Sequence, residues 1–140
     1  MRRSVLILLG VMLSTTSLHL LPAAAGQFDG RWNVTLACPD GRDGSKAFSW
    51  QFNADVTNSV IHGEHGDQNQ PGWMSLDGTI QNNGDANLMA TGLTGGAAYN
   101  LGHTAHGIPY QHPVTAHFDT AQGKGQWVTT RVCPFTFTKL

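Results

Sequence analysis

The chain has 140 residues, of which 40% are hydrophobic and 12% charged, with 17 glycines and a formal net charge of −1. That length supports one core rather than two ordinary domains, and the sparse charge excludes a coiled coil, a long solvated helix or an acidic disordered tail. The aromatic content is too high for disorder, and a charge near zero leaves no electrostatic footprint for nucleic acid.

The first segment reads as a secretory leader. Met1-Arg2-Arg3 is a short basic start, Val5 to Leu13 is an apolar run continued by Leu18 to Leu21, and Ala23-Ala24-Ala25 supplies small residues for cleavage. The run is too short and too interrupted to span a bilayer, which takes about 20 apolar residues. No cysteine follows it to carry a lipid. The expectation is a signal peptide over 1–25 and a single domain over 26–140, periplasmic or secreted and not inserted in a membrane. Residues 26–140 carry six basic residues against nine acidic ones.

Beyond residue 25 no stretch of ten residues places apolar side chains at helical spacing. Alternation of period two recurs instead, punctuated by Gly or Asn-Gly every 8–12 residues, which is the all-β pattern. Trp32, Val34 and Leu36 alternate with Asn33 and Thr35. Phe48, Trp50 and Phe52 form the next inward face, and Val60-Ile61 lead into His62-Gly63-Glu64-His65. Met74, Leu76, Gly78 and Ile80 share a face, Asn82-Asn83-Gly84 is a hairpin turn, and Ala86, Leu88 and Ala90 follow. The Gly- and Pro-rich stretch from Gly92 to Pro113 predicts a loop with one short strand around Tyr99. Val114, Ala116 and Phe118 make a strand, Gly123-Lys124-Gly125 a turn, Gln126–Arg131 a strand, and Phe135, Phe137 and Lys139 the last one.

About eight strands with short connections favour antiparallel neighbours, because a parallel crossover takes about a dozen residues. The predicted architecture is an eight-stranded up-and-down barrel, which removes exposed edges; a two-sheet sandwich is the alternative. Lone glycines at 78, 92 and 125 suit bends or bulges at barrel corners. In such a barrel the first and last strands are neighbours, so Cys38 and Cys133 fall where a disulfide can join them. The even cysteine count and an oxidising compartment point the same way.

Two resemblances rest on particular residues. Gly30-Arg31-Trp32 on the first strand is similar to the Gly-x-Trp opening of lipocalins and avidins, which implies a barrel that holds a small apolar molecule or biotin, with the Trp plugging one end. The whole chain beyond residue 25 resembles a family of small exported alphaproteobacterial proteins through Phe28-Asp29-Gly30-x-Trp32-x-Val34-Thr35, Cys38-Pro39-Asp40, His62-Gly63-Glu64-His65-Gly66, Leu76-Asp77-Gly78-x-Ile80 and Arg131-x-Cys133. That resemblance implies a fold and a compartment more than an activity.

Three functional readings stay open. Trp73, Tyr99, Tyr110 and Trp127 lie near turns and glycine-rich stretches, where aromatics at a barrel mouth commonly hold a small molecule, so the first reading is a non-enzymatic protein binding a small molecule or a protein partner without a cofactor. The second is a periplasmic metal-binding protein: His62, Glu64 and His65, with His103 and His106, are imidazoles and a carboxylate suited to Zn²⁺ or another divalent transition metal. On a regular strand His62 and Glu64 point together and His65 points away, so convergence requires a turn at Gly63 or Gly66. A continuing strand instead makes His62 and Glu64 a polar pair. The third is a small hydrolase with Glu64, the only glutamate, as general base. No serine sits in a Gly-x-Ser-x-Gly setting, which favours binding over catalysis.

Overall fold

In the computed structural model, which describes residues 26–140, the alternating segments become eight antiparallel strands. They are β1 (Gly30–Cys38), β2 (Phe48–Thr57), β3 (Val60–His65), β4 (Met74–Ile80), β5 (Asp85–Leu93), β6 (Pro109–Phe118), β7 (Gln122–Val128) and β8 (Val132–Lys139). Each pairs with its neighbours in sequence, and β1 pairs with β8 from Trp32↔Lys139 to Leu36↔Phe135, so the sheet closes into an up-and-down barrel. The sandwich alternative is thereby excluded. The expected leader over 1–25 lies outside the described residues. Among the described residues no helix is long and apolar enough to cross a membrane.

Period two decides what lies inside. Trp32, Val34, Leu36, Ile61, Met74, Leu76, Phe135 and Phe137 are essentially inaccessible, while the residues between them on β1 and β8 are half-buried or exposed. One barrel end is shut. Phe28 lies over it against Phe118, and Trp32 meets Phe118 edge-on at 5.4 Å while its indole Nε1–H donates to the Phe28 carbonyl at 2.9 Å. The Asp29 carboxylate accepts from the backbone N–H groups of Asn58 and Ser59, at 2.8 and 3.0 Å, and so ties the entering chain to the β2–β3 turn.

The opposite end opens because three seams stop short there. Pairing of β1 with β8 ends at Leu36↔Phe135, next to Pro134, which has no N–H to give the ladder. The β6–β7 ladder ends at Val114↔Trp127, beside Pro113. The β2–β3 ladder reaches only Ala54↔Gly63, so the upper half of β2 has β1 on one side and no strand on the other. At the first seam a covalent bond takes over: Cys38 and Cys133 are disulfide-bonded with Cα atoms 4.4 Å apart, a separation ordinary for directly opposed residues on antiparallel strands.

Several local expectations are corrected. Gly123-Lys124-Gly125 lies inside β7, because Asp119 makes the turn by accepting from the Ala121 and Gln122 N–H groups. Tyr99 is in a short 3-10 turn (Ala97–Tyr99), not a strand, while β5 and β6 extend into the stretch read as a loop. Registers run unbroken through Gly78, Gly92 and Gly125, so none marks a bulge. Gly78 answers to close packing instead: a Cβ there would stand 2.6 Å from Leu88 Cδ2 and 2.8 Å from the Asn87 carbonyl oxygen.

Candidate functional site

A cavity of about 770 Å³ occupies the open end. Its walls are aromatic residues beside the parted seams, of which Phe48, Trp50 and Tyr110 have a strand neighbour on one side only. Phe48 packs on Trp50 at 4.9 Å, and His65 stacks on Trp50, 4.3 Å away and nearly parallel to it. Across the cavity, His112 stacks on Tyr110 and tilts against Trp127, each at 4.9 Å. Trp127 rests edge-on against Phe135, 5.8 Å away, where the cavity meets the closed core. The loop 94–108 arches over the opening, contributing Tyr99, Leu101 and Ile108. Asn100 holds its shape by donating from Nδ2 to the Gly95 and Thr104 carbonyls, and the Lys46 N–H fastens it to the β1–β2 loop through the Ala98 carbonyl.

The polar groups at the cavity are few. Arg131, in the β7–β8 turn, is only 7% exposed. Its Nη1 donates to the Pro39 and Lys46 carbonyls at 3.3 and 3.2 Å, its Nη2 to the Tyr99 carbonyl at 3.0 Å, and the guanidinium lies 5.3 Å over the Phe48 ring. Burial lowers its pKa from the usual range, with Asp43 and Asp40 opposing. Asp43 reaches it through Ser45, whose hydroxyl donates to the carboxylate at 2.7 Å and accepts from Arg131 at 3.4 Å. The Gly102 N–H also donates to Asp43, and these bonds hold its carboxyl well below the usual carboxylate range. Desolvation lowers the pKa of His112, keeping the neutral imidazole, and raises that of the Tyr110 phenol. His65 faces the Gly72 carbonyl at 3.0 Å; a carbonyl only accepts, so Nδ1 carries the hydrogen.

Of the residues singled out in the sequence, Tyr99, Tyr110, Trp127 and His65 line the cavity. Trp73 does not; it sits just before β4 with its indole Nε1 buried and without a partner. His62 and Glu64 point outward from β3 and His65 inward, because the strand continues regularly through residue 64. The partner of His62 is therefore Asp77, directly across on β4 at 2.5 Å, and not Glu64. His103 and His106 are exposed on the arching loop. The residues proposed as metal ligands do not converge, and among the described residues no group of three potential ligands does. Glu64 stands on the outer wall, away from the cavity.

Alternation along β2 predicts Phe48 and Trp50 in the core, and they instead form a cavity wall; His65, a candidate metal ligand in the sequence, joins that wall, and His112 and Arg131 are site residues that no sequence pattern marks. No known protein family, curated protein or solved structure matches the chain.

Proposed function

We propose that this chain is an exported binding protein that holds a small amphipathic molecule in the open end of its barrel. The observation that carries the reading is the cavity itself. A volume of about 770 Å³ walled by Phe48, Trp50, Tyr110 and Trp127 is the size and character of a small-molecule site, mostly apolar with a few polar groups. The leader-like residues 1–25 support export, as does a disulfide, which persists in oxidising compartments. Glu64, the candidate general base, and the candidate metal ligands His62, His103 and His106 lie outside the cavity, and His65 enters it alone, so binding without a cofactor is the reading preferred over catalysis or metal storage.

The test is a fluorescence titration with the neutral apolar probe N-phenyl-1-naphthylamine. Saturable binding of one probe per chain is expected, weakened by Trp50→Ala or Trp127→Ala and unchanged by His62→Ala on the outer wall. Probe binding that does not saturate, or that ignores both tryptophan substitutions, refutes the reading.

A further inference from the structure

Cavity-lining residues show a charge asymmetry at odds with the chain as a whole. Acidic residues outnumber basic ones over 26–140, yet no aspartate or glutamate lines the cavity, and its one permanently charged residue is Arg131. Among the described residues no carboxylate lies within ion-pair distance of that guanidinium; Asp43 is held one hydroxyl away, with both its oxygens already engaged. A cation 7% exposed over an aromatic ring, without a direct counter-ion, is costly to bury.

The unpaired polar atoms repeat the same message. Among the described residues three buried side-chain groups lack any partner: Arg131 Nε, Tyr110 OH and Trp73 Nε1. Each can donate, and two of them are pure donors. Two of the three belong to cavity-lining residues. Buried donors are nearly always satisfied, so these unpaired ones mark the residues around the cavity as rich in donors and short of acceptors. The walls meanwhile offer flat faces, since Trp50 with His65 and Tyr110 with His112 are stacked pairs on opposite sides.

We infer that the cavity selects an organic anion with a flat apolar body, its carboxylate or comparable acidic group directed to Arg131 and its ring system held between the stacked aromatic pairs. This rests on the binding reading above and adds to it the charge class of the ligand. The basis is complementarity: an anion neutralises the guanidinium and supplies acceptors, whereas a neutral isostere such as an amide offers one carbonyl acceptor and no charge, and a cation meets a like charge.

A pair of probes that differ only in charge tests the inference on the intact oxidised protein: 2-naphthoate and its neutral amide, 2-naphthamide, titrated by calorimetry. The naphthoate is expected to bind at least about tenfold more tightly, with the preference falling as salt is added. Arg131→Gln should bring the ratio towards one, and Arg131→Lys should keep part of it. Because Arg131 also ties three backbone carbonyls, Arg131→Gln can fail to fold; the ratio on the unsubstituted chain and its salt dependence then decide the matter alone. Equal affinities, or a tighter amide, overturn the inference while leaving the cavity a binding site. Failure of both naphthalene probes while N-phenyl-1-naphthylamine still binds overturns it also, and failure of all three removes the binding reading with it.

Discussion

His65 lies flat on Trp50, ring centroids 4.3 Å apart and planes 8° from parallel. The pair bridges the one gap in the barrel wall where β2 has lost β3 as a neighbour, and the Gly72 carbonyl fixes the imidazole there through Nδ1. Gly66, at φ +73, lets the chain leave β3 immediately after the histidine. Side-chain stacking thus stands in for backbone pairing along this part of the cavity.

Removing the stack should therefore change binding more than stability. An aromatic pair is worth about 0.5–1.5 kcal/mol beyond its buried area, which corresponds to a roughly two- to tenfold change in affinity if it is expressed on the ligand. His65→Ala is expected to weaken N-phenyl-1-naphthylamine binding within that range, and His65→Phe to retain it. Equal losses in both variants would mean that the Nδ1–H bond to Gly72, and not the stack, holds the wall.

Position along β2 should also grade the cost of truncation. Phe52 is 8% exposed and packed in the core, whereas Trp50, two residues nearer the open end on the same face, is half-buried at the cavity. Phe52→Ala is expected to cost about 3–5 kcal/mol in urea unfolding, the usual range for a buried aromatic. Trp50→Ala should cost clearly less, because its partner space is already open. Equal costs would mean that the cavity is filled by a rearranged Trp50 in solution.

Loss of the disulfide should affect both the stability of the barrel and its site. A bridge closing about 95 residues is worth roughly 4–5 kcal/mol in the chain-entropy model. The double change Cys38→Ser with Cys133→Ser should lower the urea midpoint accordingly. It should also weaken probe binding, since the bridge continues the β1–β8 seam past the point where Pro134 ends the ladder. Reduction by dithiothreitol must reproduce both effects.

The parts of this fold legible in the sequence are those governed by period two and by turn chemistry. Trp32-x-Val34-x-Leu36 and Met74-x-Leu76 point inward as their alternation requires, and the first and last strands meet at the two cysteines. What escaped notice depends on contacts far apart in the chain. Phe48 and Trp50 have the same pattern as Phe52, and only the early end of the β2–β3 ladder separates cavity wall from core. The Gly123 and Gly125 positions read as a turn from composition, yet in β7 they make room for Phe118 and Ala116 across the ladder. The carbonyls of Pro39, Lys46 and Tyr99 that fix Arg131 come from loops 32 or more residues away, so no local spacing announces it.

Acid should destabilise the chain through His112. Desolvation places its folded-state pKa below the ordinary 6.5, so the unfolded chain takes up the proton more readily. This contribution is fully present above about pH 6.5, and it is lost as pH falls through that value to the lower folded pKa. The groups facing His112 offer the imidazolium no counter-charge: Tyr110 on β6, Trp127 on β7, Ala90 opposite on β5, and His65 and Arg131 around the cavity. His62 works in the opposite sense, because the hydrogen bond to Asp77 raises its pKa and its contribution is gained as pH falls through the folded value. The difference between the unsubstituted chain and His112→Gln isolates the first effect. Unfolding midpoints at pH 7.5 and 5.5 should fall with acid more for the parent than for the variant. A bound carboxylate reverses the sense, since an anion beside the imidazole favours its protonated form. Affinity for 2-naphthoate should then rise as pH is lowered from 7.5 to 5.5, that for 2-naphthamide should not, and the rise should disappear in His112→Gln. A naphthoate affinity flat across this range would place the carboxylate away from β6, out of reach of His112.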